Sequence, residues 1–206
     1  MKRNKIFLII GIIIVIAAFL WLLQGGVIVG FLALNFLDNK VEVNTDISKY
    51  QDYIGETAAD EYRNKWGMDE SIFPREITEN MKVKDYKMVY YNPWDAQYLS
   101  YLVVQYDADT YQEEVKRLEA YPSVEYLGYY GAEGFKEQYE LLAMNADSYQ
   151  GFVYALTDRK DTIVYVEIIF CNYFMDLDYK EYIHEDYLPI GFDASDDNPY
   201  QKKMME

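Results

Sequence analysis

Hydrophobic and polar positions divide the chain into one long apolar block and a region where apolar residues recur at short periods. From Ile6 to Leu37 there is no charge, and only Gln24 and Asn35 interrupt the run. A signal-peptide core spans roughly 7 to 15 residues, so this block reads as an anchor that stays. As one helix it would reach about 48 Å against a hydrocarbon core of ~30 Å, and Gln24-Gly25-Gly26 offers the break. The expected organisation is a basic cytoplasmic tip over 1–5, a transmembrane anchor over 6–23 with an apolar continuation to 37, an extracytoplasmic domain over 38–190, and a loose polar tail over 191–206.

Beyond the block, period 3.6 comes first. Ile47, Tyr50 and Ile54 share a helical face that stops at Gly55, and Ala58, Tyr62 and Trp66 repeat the stripe between Thr57 and Gly67. Two helices in a hairpin are expected there. Residues 82–91 and 98–106 are rich in aromatic and β-branched side chains, and Asn92-Pro93-Trp94-Asp95 between them has turn chemistry, so they form a β-hairpin. Thr110-x-x-Glu113 opens a helix with Tyr111, Val115 and Leu118 on one side and a Glu113–Arg117 pair on another. Further strands are expected at 124–130, 139–145, 151–157 and 162–172, and a short helix near 178–186. The fold class is α+β: a mostly antiparallel sheet of about five to six strands with a helix packed on it.

Charge then sets the compartment. Lys2, Arg3 and Lys5 precede the apolar block, which keeps the N-terminus in the cytoplasm and sends the rest out, a single-pass signal anchor in the cell membrane. No A-x-A-like cleavage site follows cleanly, and Cys171 lies too far along for lipid attachment after a signal. The first 37 residues hold three of the 19 Lys and Arg and none of the 35 Asp and Glu, so the remainder carries 16 minus 35, or −19. That field excludes nucleic acid as a partner and disfavours anionic polymers. The expected partners are the membrane, through the N-terminal helix, and another envelope protein. A single cysteine leaves no internal disulfide, a style of bacterial export. All 23 tyrosines follow residue 49, so many rings are expected to be partly exposed.

Scarce residues exclude much chemistry. His184 is the only histidine, which removes sites built on several imidazoles, and Cys171 reads as a packed, inert thiol. GxxxxGK[ST], GxGxxG and GxSxG do not occur. Asp107-x-Asp109 and Asp176-x-Asp178 read as helix caps, and the acidic stretch 193–198 reads as a solvated turn. Neither a metal site nor a cofactor is expected, and no catalytic residue is assigned. Glu167 is the one carboxylate that stands out, because Val164, Val166, Ile168 and Phe170 take one strand face and put Glu167 on the other between Tyr165 and Ile169. The expected function is a non-catalytic binding domain whose surface lies at Tyr90, Tyr91, Trp94 and Asp95 on the hairpin. The alternatives are a carboxylate-dependent envelope hydrolase using Glu167, or a calcium-stabilised structural module.

Overall fold

Period-two alternation in the middle of the chain builds a sheet that is covered on both faces. The computed structural model describes residues 40–206. The expected anchor over 6–23 and its continuation to 37 lie outside the described residues. Among the described residues no helix is long and apolar enough to cross a membrane.

Val41–Glu206 form one compact unit around six strands: β1 (Glu42–Asn44), β2 (Met81–Tyr91), β3 (Gln97–Tyr106), β4 (Glu140–Asp147), β5 (Gly151–Thr157) and β6 (Thr162–Ile169). They lie in the order β1-β2-β3-β6-β5-β4, and every pairing is antiparallel. The β2–β3, β4–β5 and β5–β6 hairpins follow from short turns. The long connection from β3 to β4 carries the one long helix across the sheet. The helices are a single turn α1 (Tyr50–Tyr53), α2 (Ala108–Glu119) and α3 (Pro199–Met205).

Alternation along β6 divides two cores. Ile163, Tyr165 and Ile169 face a layer made of residues 46–79 and α2, with Tyr50, Ile72, Phe73 and Leu118 buried there. Val164, Val166 and Ile168 face residues 126–135 and 170–200, where Tyr130, Phe170 and Phe192 are buried. At ~25 cal/mol per Å² of apolar surface, two such layers offset the lack of any disulfide.

Tyrosine divides about equally between the interior and a half-buried shell. Tyr50, Tyr130, Tyr154 and Tyr165 are at most 1% exposed, and each hydroxyl finds an acceptor. Tyr50 donates to Pro74 O at 2.7 Å, Tyr130 to Ser148 O at 2.9 Å and Tyr154 to Tyr187 O at 2.8 Å. A buried ring whose polar tip is bonded costs little more than phenylalanine. Among the described tyrosines only Tyr149 is exposed, but eleven more, Tyr53, Tyr90 and Tyr126 among them, are half-buried, so many rings are partly exposed, as expected.

Several local expectations change for stated reasons. Residues 57–67 are not a helix: two 3-10 turns, Asp60–Tyr62 and Lys65–Gly67, are separated by Asn64 in the left-handed region, and the expected helical hairpin is absent. Residues 124–130 are not a strand, because Gly128 and Tyr130 take positive φ and one bond, Val124 N to Met144 O, ties the segment to β4. The sixth strand is β1 instead, three residues long and too short to show a period. Helix α2 starts at Asp107, whose carboxylate accepts from the Asp109 and Thr110 amides, rather than at Thr110. Arg117 pairs with Glu114, not Glu113, and also donates to Ser71 O and Ile72 O, at 2.7 Å in each contact. It thereby clamps the 46–79 layer to the helix. The expected helix at 178–186 is two 3-10 turns, Tyr179–Glu181 and Glu185–Tyr187.

The tail expected to be loose is packed. Asn198 is 2% exposed; it caps α3 by accepting from Gln201 N at 2.8 Å and donates to Tyr173 O and Ser195 O at 2.9 Å. Asn198→Ala is expected to lower stability by about 1–2 kcal/mol, through the lost cap and the loss of the side-chain bond to Tyr173 O. Urea denaturation checks this, and an unchanged midpoint would return the tail to the solvent.

Candidate functional site

The left-handed turn at Asn64 decides what points inward and what points outward. A continuous helix would bury Trp66. With Asn64 at φ 65 and Trp66 at φ 58, followed by Gly67 at φ 81, the phase slips, so that Lys65 is buried and Trp66 is exposed. Positive φ at a bulky residue is strained, and such strain persists only where surroundings over-determine it.

What holds the turn from inside is a buried charge cluster. Lys65 Nζ lies 2.9 and 3.0 Å from the two Glu167 carboxylate oxygens, with the side chains 1% and 0% exposed. Ser100 Oγ on β3 donates to Glu167 Oε1 at 2.7 Å. Glu70 also pairs with Lys65, though its contacting oxygen lacks hydrogen-bond alignment, and the ammonium sits 5.4 Å from the centre of the Tyr98 ring. Burial alone would lower the Lys65 pKa, but the charges of Glu167 and Glu70 outweigh it and hold it above its ordinary value. Lys65 is therefore a cation and no nucleophile. Burial, reinforced by the charge of Glu167, pushes the Glu70 carboxyl up to about 7.

Glu70 reaches the surface and Glu167 does not. Glu70 lines a cleft of about 670 Å³ together with Arg63, Arg75, Glu56 and Glu76, whereas Glu167 is sealed behind Lys65 on a central strand. Hydrolysis by a carboxylate pair needs both groups at the scissile bond. Glu167, the residue singled out in the sequence, cannot meet that need; Glu70, which was missed, is the accessible member. Its signal in the sequence was nil, since one acidic residue among 35 is inconspicuous.

Trp66 Nε1 donates to Ala96 O at 2.7 Å, seating the indole against the β2–β3 turn. Between them lies a second pocket of about 310 Å³, lined by Arg63, Asn64, Trp66, Asn92, Trp94 and Asp95 among others. Trp94 is 64% exposed and Trp66 38%. On the other side of the turn, Asn172 donates to Asp95 at 3.3 Å and accepts from the Tyr149 hydroxyl. Asn172 and Tyr173 have φ of 61 and 68. Among the described residues, four of the seven non-glycine residues with positive φ, Asn64, Trp66, Asn172 and Tyr173, thus lie around this one turn, which is where strain at a functional surface would concentrate.

The four residues expected to form a surface divide in two. Trp94 and Asp95 stand at the tip. Tyr90 packs its ring 5.1 Å from Tyr62 and 5.4 Å from Tyr98, while Tyr91 packs against the core of the opposite face. Trp66, Asn64 and Tyr149 join the tip from distant parts of the chain.

The remaining polar candidates have structural work. Cys171 is half-buried, and burial with the neighbouring Asp95 pushes its thiol up to about 12, which suppresses the thiolate. His184 is exposed, with its ring 5.6 Å from Tyr187. Asp178 caps the turn at Tyr179–Glu181, and Asp176 accepts from Gln97. Among the described residues no group of three or more His, Cys, Asp or Glu side chains is placed to hold a metal ion. No family model, curated protein or solved structure matches this chain.

Proposed function

We propose that residues 38–206 are a non-catalytic binding domain, held outside a bacterial cell membrane by the anchor over 6–23, and that they engage their ligand through the Trp66–Trp94 tip. One observation carries this reading: a strained turn exposes an indole beside a second indole, while the neighbouring Lys65 is buried and paired with Glu167. Tryptophan at such a tip offers large contact area at little entropic cost. The anchor contributes by raising the effective concentration of the domain near envelope components.

Trp94→Ala is expected to leave the fold intact, because exposed side chains away from caps and cores move stability by roughly 0.5 kcal/mol or less. The same substitution is expected to weaken retention on isolated envelope material by about tenfold or more. Co-sedimentation of the full-length chain in detergent micelles measures this. Equal retention of both proteins would remove the tip from the function.

A second reading, an envelope hydrolase, is favoured by Glu70 at the edge of the larger cleft with a pKa near neutrality, as a general acid requires. It predicts that Glu70→Gln abolishes turnover in a folded protein. Glu167, the carboxylate bonded into the same cluster, is sealed from the cleft, so a partner for Glu70 would have to come from Glu56 or Glu76 on the cleft rim.

A further inference from the structure

We infer that the pocket between Trp66 and Trp94 binds one pyranose ring of a neutral oligosaccharide. This deepens the reading that the tip is the binding surface and depends on it. The pocket's volume, about 310 Å³, sits at the lower end of the ~300–1,000 Å³ range of small-molecule sites, which suits one sugar ring rather than an extended peptide. The faces of indole rings carry negative quadrupole density and attract the slightly positive C–H face of a pyranose. Trp94 and Trp66, 64% and 38% exposed, both line this pocket.

Between the indoles the lining is planar and polar. Asn64, Asn92, Asp95 and Arg63 carry amide, carboxylate and guanidinium groups, the forked donors and acceptors that match vicinal hydroxyls. Asn64 does not spend its side chain on capping the turn that it starts. Asp95 uses Oδ2 to accept from Asn172, which fixes the carboxylate plane. Charge selects the ligand further. Arg63 is paired with Asp60, and Lys65, which also lines the pocket, is paired with Glu167, so neither offers an unpaired cation to an anionic ligand. With −19 on residues 38–206, an anionic polymer is repelled, whereas a neutral glycan pays no such penalty.

Calorimetric titration of the full-length chain in detergent micelles tests this, with chitohexaose and cellohexaose as separate probes for acetamido sugars and plain glucans. Saturable binding of at least one is expected. Trp94→Ala and Asn92→Ala should each weaken it by about tenfold, with unchanged near-UV circular dichroism. Two results would overturn the inference: no saturable binding of either hexasaccharide, or binding that both pocket substitutions leave unchanged. If neither sugar binds and Trp94→Ala still abolishes envelope retention, the tip remains the binding surface and only its saccharide ligand is lost.

Discussion

Lys65→Met is expected to destabilise the domain by about 3–5 kcal/mol, the cost of leaving a buried charge without its partner. Methionine keeps the volume and the unbranched stem, so the loss reports the ammonium. Without it, Glu167 at 0% exposure keeps only the Ser100 hydroxyl, 2.7 Å away. The double substitution Lys65→Met with Glu167→Met should recover most of that loss, because replacing a buried pair by apolar groups is often neutral or better. Urea denaturation of the three proteins measures both effects. A single variant within roughly 0.5 kcal/mol of the wild type would mean that water reaches the cluster and that the turn at Asn64 is held by something else. The recovered double variant is informative in its own right: folded but without the internal tie, it shows whether the cluster positions Trp66 for binding.

Glu70 should make stability depend on pH above the range of the lowered carboxyls, in the same direction as Asp176, whose carboxyl is also raised by burial. Its folded pKa of about 7 stands above the ordinary 4.5, so between these values the folded state holds a proton that the unfolded state has released. Stability therefore falls as pH rises from about 4.5 to about 7 and levels off above. The difference of about 2.5 units, at 1.36 kcal/mol each, amounts to about 3 kcal/mol. Asp46, Asp69, Asp107, Asp161 and Asp186 have pKa values lowered from 3.8, and they contribute only at lower pH. Glu70→Gln should flatten the profile and make the variant more stable than the wild type at pH 8. A wild-type midpoint that is level from pH 4.5 to 8 would show that Glu70 is ionised throughout.

The sheet was legible in the sequence because alternation is local. The 82–91 and 98–106 hairpin, the 158–161 turn and the assignment of Val164, Val166 and Ile168 to one face all follow from period two. Glu167 stood out by the same parity. Its partner did not, since Lys65 lies 102 residues away and nothing around Lys65 announces burial. Trp66 was read as a core residue because Ala58, Tyr62 and Trp66 fit a helical stripe, and one left-handed residue at Asn64 shifts that stripe by a position. The same kind of event at Gly128 and Tyr130 turns a strand-like composition into a loop. Trp94 and Asp95 could be read from turn chemistry, whereas the residues that complete their surface, Asn64, Trp66, Tyr149 and Asn172, are joined only by tertiary folding.

The chain has three tryptophans, Trp21, Trp66 and Trp94, which makes the location of the ligand directly measurable. With 5-fluorotryptophan incorporated into the full-length chain in micelles, fluorine NMR gives one resonance per indole, assigned by single Trp→Phe variants. On adding solubilised envelope material, the Trp66 and Trp94 resonances are expected to shift or broaden together while Trp21 stays in place. Binding that leaves both Trp66 and Trp94 unmoved would contradict a ligand at the tip.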